Sequence, residues 1–278
     1  KMDQYHKKIE KEKVEKACDT YALNKLKKFV AERLDVAIKK LKDLDFYTLR
    51  EDMEFGDERV SVGGLESILV KSILTLAFAD TYPDFTYESM DKHKYKPDTI
   101  NITNTIFGIN FEDYYKALET YDAPTELRER VGRFGKKVHT IGNIMVLPSG
   151  LTLMRNTKPL GRGYCDVFLA EFYKMMISAK KCNMKMFDAL NLKKKEVAAF
   201  RTEENFNHIV RELMLDDFLG EEGKPKQVFQ GLFSRESGIF RDTFIKAANE
   251  FLDFCEPFVD KRADRIIDKL EKVLSSNH

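Results

Sequence analysis

The chain leaves off regular helix-building at His139-Thr140-Ile141-Gly142-Asn143-Ile144-Met145-Val146-Leu147-Pro148-Ser149-Gly150-Leu151-Thr152-Leu153-Met154. Ile144 to Leu147 is a continuous apolar run, short and bounded by turn-forming residues, which predicts a buried strand. Ser149-Gly150 offers turn chemistry, and Leu151 to Met154 reads as the returning strand. A β-hairpin element is therefore expected around residues 139–155. A helix is expected over Tyr164–Ala179, so the local order is strand, turn, strand, helix. Residues 132–163 hold six of the 14 glycines, together with Pro148 and Pro159. Such a density of breakers marks the segment as the least helical part of the chain.

On either side the pattern is helical. Leu23, Leu26, Val30, Leu34, Ala37, Leu41 and Leu44 step by three or four and share one face. Residues 1–20 are charged without such a stripe, so they are expected to fray or to dock on a protein partner. Lys1, ahead of Met2, reads as preceding the natural start. A second helix is expected over Leu65–Ala79, ended by Tyr82-Pro83. Short helices follow over Phe111–Thr120 and Pro124–Val131, with Pro124 suited to a first turn. Further on, helices are expected over Asp188–Phe200, Thr202–Leu219 and Ser237–Leu274, the last broken or kinked at Pro257. The expected class is mainly α (α+β), as one domain over 1–278. Residues 83–163 form its irregular, β-containing insert.

Charge and composition narrow the function classes. There are 47 basic and 46 acidic residues, a net of +1, which argues against a strongly basic nucleic-acid coat. No stretch approaches the roughly 20 apolar residues of a membrane span, and the Lys- and Glu-rich start lacks the apolar core of a secretory signal. Cys18, Cys165, Cys182 and Cys255 are scattered, with no C-x-x-C pair, which argues against a zinc knuckle and suits the reducing cytoplasm. No Walker loop, dinucleotide fingerprint or serine-nucleophile motif is present.

The candidate chemistry lies in the glycine-rich segment. His139 can move a proton or bind a metal near neutral pH. Asn143 and Asn156 can orient a ligand with donor and acceptor atoms. Arg162, between Gly161 and Gly163, can offer its fork to a phosphate or carboxylate. The alternative is structural: Asn and Gly also stabilise tight turns, and such a His also caps backbone carbonyls.

His139-Thr140-Ile141-Gly142-Asn143 with Pro148, Asn156 and Arg162-Gly163 resembles the signature of a family of uncharacterised bacterial proteins. Asp98-Thr99-Ile100-Asn101 resembles that family's D-T-[LM]-N element, and the likeness covers roughly residues 95–180. It implies no activity, but it adds Asp98 and Asn101 to Arg162 as candidate ligand-binding residues. A weaker resemblance is to the HNH endonuclease-like domain of modification-dependent restriction enzymes, which carry H-T-[IL]-G-N-L before a loop and a helix. That likeness implies His139, Asn143 and Asn156 as catalytic residues, with a divalent metal and Asp166 as its carboxylate. The upstream E-H-I-x-P element that supplies the base in those domains is absent.

Arg201 and His208 supply the Arg–His pair of a third resemblance, to HEPN-type ribonucleases. Seven steps of about 100° bring them within about 20° on one helical face. Phe206, Ile209, Val210 and Leu213 define the opposite, buried face, so the polar set reads as solvated. Three readings stand. The first is a cytoplasmic bacterial protein whose polar pocket binds a phosphate-bearing or nucleic-acid ligand, as a divergent or degenerate nuclease. The second is a non-enzymatic interaction or scaffold protein, self-associating or contacting a partner through its N-terminal helix. The third is the ribonuclease.

Overall fold

A computed structural model of the chain describes residues 24–25, 27–28, 30–31, 38–46, 50–55, 58–63, 68–101, 118–155, 165–177, 202–226, 228 and 241–275. These residues are mainly helical, with two small antiparallel strand pairs, as the α+β reading expects. The segment 1–20, the helix expected over Asp188–Phe200, and Asn156, Arg162 and Arg201 lie outside the described residues.

The first strand pair joins β1 (Arg50–Phe55) to β2 (Glu58–Gly63), in register from Arg50 opposite Gly63 to Phe55 opposite Glu58. Helix α1 (Ile68–Phe78) follows, and every residue from Leu69 to Phe78 is buried. It is a central helix, buried on every side. Lys71 is accommodated there by reaching Asp91 at 3.2 Å. Short helix α2 (Tyr87–Asp91) opens with a capping box between Thr86 and Ser89.

The expected hairpin within 139–155 is corrected in one respect. Ile144–Pro148 is a strand, β4, but its partner is β3 (Tyr95–Thr99), with Pro97 opposite Val146 and Asp98 opposite Met145. Residues Ser149–Arg155 form helix α4 instead of a return strand. All five residues of β4 are buried, which matches a continuous apolar run rather than an alternating one. Between the strands stands α3 (Thr125–Lys137), with Leu127, Val131 and Phe134 inward. A 3-10 turn (Ile141–Asn143) leads into β4.

Helix α5 (Cys165–Ile177) packs beside α6 (Glu203–Glu212). The sequence extends α6 to Leu219, but it stops at Leu213. Met214 takes the left-handed conformation (φ 55°), Met214 N–H bonds Arg211 O, and Leu215 N–H bonds Val210 O. This is a Schellman ending built on Met where Gly is usual. Helix α7 (Arg241–Ser275) runs on through Pro257. Pro257 and Asp253, whose carbonyl loses its bond to the missing N–H, are both exposed, so water can replace that bond. Helix α7 packs on the 141–143 turn, on a 3-10 turn at Ile38–Lys42, on α3 and on α1. The buried apolar side chains, from Val30 to Leu270, form one cluster.

Candidate functional site

The H-T-I-G-N segment is built as a clasp. Thr140 opens it, its hydroxyl donating to Lys137 O at 2.9 Å. Asn143 is fully buried, and its amide is spent on main chain. Nδ2 donates to Asn101 O at 2.6 Å and to Val138 O at 2.9 Å, while Oδ1 accepts Asn101 N–H at 3.1 Å. The side chain thus ties the end of β3, the end of α3 and its own turn together. Asn143 O also accepts Ile100 N–H at 2.7 Å.

Helix α7 closes the clasp from the other side. A β-carbon on Gly142 would fall far inside van der Waals contact of Val259 O and 3.0 Å from the Ala263 β-carbon. Glycine is required there by close approach, not by a left-handed backbone. One turn along, Arg262 is 1% exposed. Its Nη1 lies 3.1, 2.9 and 2.8 Å from the carbonyls of Ile141, Gly142 and Ile144, and its Nε donates to Leu213 O at 2.9 Å. The Leu213 carbonyl is free for this because α6 ends there. The Phe78 ring lies 5.4 Å from the guanidinium carbon. Burial pulls the Arg262 pKa down to about 9, so the group is still charged at neutral pH and is solvated by carbonyl dipoles and a ring face.

His139 sits at the rim. Its carbonyl accepts Phe46 N–H at 3.0 Å, and its half-buried ring has Nδ1 3.7 Å from Asp45 Oδ1. Burial lowers its pKa, and Asp45 opposes without prevailing. The ring is therefore neutral at pH 7. The two elements meeting here are anchored to adjacent turns of α7, Lys42 to Asp264 at 2.8 Å and Lys137 to Asp260 at 2.7 Å.

The other candidates are placed as follows. Asp98 is half-buried in β3, and Asn101 is buried, with its own Nδ2 making no hydrogen bond. Asp166, expected as a metal carboxylate, is fully buried in the first turn of α5. Its Oδ1 accepts Val167 N–H and its Oδ2 accepts Val228 N–H, both at 2.8 Å. Its oxygens fasten the 228 segment to a helix start. Among the described residues, no group of three or more His, Cys, Asp or Glu is arranged to hold a metal ion. None of their helices is long and apolar enough to cross a membrane.

His208, from the ribonuclease reading, is exposed, with Nε2 2.9 Å from Asp80 O. It borders a cleft of about 540 Å³ between the loop after α1 and the start of α6. Thr81, Tyr82, Pro83 and Asn205 also line this cleft, which sequence reasoning missed. The only signal was Tyr82-Pro83 at a helix end. Tyr82 is fixed there by stacking on Tyr95 at 5.0 Å and by donating its hydroxyl to Val146 O at 3.2 Å. Compared with known proteins, the chain matches no family model, no curated protein and no solved structure.

Proposed function

We propose that this chain is a non-enzymatic interaction protein of the cytoplasm, and that its H-T-I-G-N segment is a structural clasp rather than a nuclease centre. The observation that carries this reading is the Asn143 side chain, fully buried with its three hydrogen bonds all on main chain. A catalytic amide has to face the reacting atoms, and this one faces backbone. Asp166 is occupied in the same way. The likeness to HNH domains and to the bacterial family is then a likeness in a fold-building turn. The test is incubation with single- and double-stranded DNA and RNA, with and without Mg²⁺ or Mn²⁺. No cleavage above the buffer control is expected. Metal-dependent cleavage that disappears in a folded His139→Ala variant would overturn the proposal.

A second reading, phosphate or nucleic-acid binding without chemistry, is favoured by one observation. Lys39 and Lys40 on the 38–42 turn, and Arg133 and Lys136 on α3, are all exposed on the two elements that meet at His139. Binding of single-stranded RNA that weakens steeply with salt, and weakens further in a Lys39→Glu/Lys136→Glu variant, would support it.

A further inference from the structure

The charges of α7 are sorted around its axis. Asp253, Glu256, Asp260 and Asp264 stand three or four residues apart, so at about 100° per residue they fall within roughly 80° of one another. Lys261, Arg265 and Lys269 step by four and make a second row of similar width. Phe251, Cys255, Arg262, Ala263 and Ile266 are buried on the seam between the rows, and Pro257 and Asp268 are exposed on the opposite side. The helix thus carries carboxylates on one flank of its seam and cations on the other.

The rest of the fold is sorted to match. On the acidic flank Arg130 reaches Asp253 and Glu256, both at 2.8 Å, Lys137 reaches Asp260 at 2.7 Å, and Lys42 reaches Asp264 at 2.8 Å. On the basic flank Lys261 meets Asp217 at 2.7 Å, Arg265 meets Asp216, and Lys269 meets Glu212 at 2.9 Å. The partners of the acidic row stand on α3 and the 38–42 turn, and those of the basic row on the end of α6 and the turn after it.

We infer that the two rows are an electrostatic key, which lets α7 close over the clasp in one direction and one rotation. Turning the helix end for end, with the seam still inward, exchanges its flanks. Carboxylates would then face Asp216, Asp217 and Glu212, and cations would face Arg130, Lys137 and Lys42. Burial of the apolar seam is non-directional and opposes such a reversal only weakly. Arg262 and Gly142 fix the helix at one level, whereas the rows act from Asp253 to Lys269, about 24 Å at 1.5 Å per residue. The matched pairs are partly open to solvent, Lys42 and Asp264 being 31% and 60% exposed in their side chains, so they add little net stability. Their effect is to make the mismatched seating costly, because like charges set together are strongly unfavourable.

The test is urea unfolding of full-length charge variants at low salt, none of which touches Arg262, Gly142 or Asn143. Neutralising one flank, with Lys42→Gln/Lys137→Gln, should lower the folding equilibrium constant less than about fivefold. Reversing it, with Lys42→Glu/Lys137→Glu, should lower the constant at least about thirtyfold, and by much less in 1 M NaCl. Adding Asp260→Lys/Asp264→Lys to the reversed flank should bring the constant back to within about fivefold of the parent. Adding Lys261→Glu/Arg265→Glu instead reverses the wrong row and should deepen the loss. Equal losses on neutralisation and reversal, no recovery in the matched quadruple variant, or recovery in the mismatched one would each overturn the key.

Discussion

Nη1 of Arg262 stands 2.9 Å from the carbonyl oxygen of Gly142, and the same helix presses its Val259 carbonyl against the face of Gly142 where a side chain would be. One residue supplies donors to the turn and the other makes room for the helix that carries them. The two should fail together.

Arg262→Met keeps the bulk of the side chain and removes every donor. It takes the Arg262 donors from the carbonyls of Gly142, Ile144 and Leu213, while Ile141 O keeps the Ile144 N–H. Relief of the buried charge offsets part of the loss, so a net destabilisation of about 3 kcal/mol is expected in urea unfolding. Arg262→Lys should fall between the two, because an ammonium cannot span both Leu213 and the turn. A Met variant as stable as the parent would show that the clasp contributes nothing net.

Gly142→Ala should cost about 3 kcal/mol by overpacking. The tightest contact is with main chain, the Val259 carbonyl, and the Ala263 methyl is secondary at 3.0 Å. Adding Ala263→Gly should therefore fail to restore stability. Restoration by that second change would mean the methyl contact governs the approach.

Asn143→Asp replaces a donor facing two carbonyls with an acceptor. The ionised form is repelled by Asn101 O and Val138 O, so the folded-state carboxyl pKa rises above its unfolded value. A carboxyl raised in this way contributes stability at low pH that is lost as pH rises. Denaturation midpoints should show the variant losing about 3 kcal/mol at pH 8 relative to the parent, and less at pH 4 because the protonated acid can donate to one carbonyl. Asn143→Ala should show no such trend.

His139 gives the opposite slope. Its folded-state pKa is lowered, chiefly by burial. Above the ordinary histidine range both states are neutral, and stability is lost as pH falls through that range toward the folded-state value. Unfolding measured from pH 7.5 down to pH 5 should show a decline that His139→Gln reduces. An NMR titration should place the ring midpoint below that of a free histidine, and a midpoint above it would refute the burial argument.

The location of the unusual segment was legible, and its construction was not. The apolar run Ile144–Leu147 announced a strand, but its partner carries Pro97, which argues against strand in a sequence and is tolerated here because the sheet has only two strands. Leu151–Met154 is too short for its period to separate strand from helix. The β1–β2 pair was overlooked although Met53, Phe55, Val60 and Val62 alternate on either side of Gly56-Asp57 in the sequence. The end of α6 was hidden because Met214 fills a position usually signalled by glycine. In the site, Asn143 and Gly142 were found as residues, with a structural and a chemical role both left open, since a buried amide and a catalytic one have the same letter. Arg262 was missed among Lys261, Asp264 and Arg265, yet it falls four residues after Phe258 and four before Ile266, on the buried stripe of α7. A charged residue on an apolar stripe was the available signal.

The clasp joins residues 120 positions apart in sequence. During synthesis the turn and its three carbonyls leave the ribosome long before the guanidinium that bonds them. Until α7 follows, the ribbon of β3 and β4 carries exposed main-chain acceptors and an uncovered apolar strand, which is the condition under which nascent chains seek wrong partners. Formation of α7 is thus the step that closes the clasp.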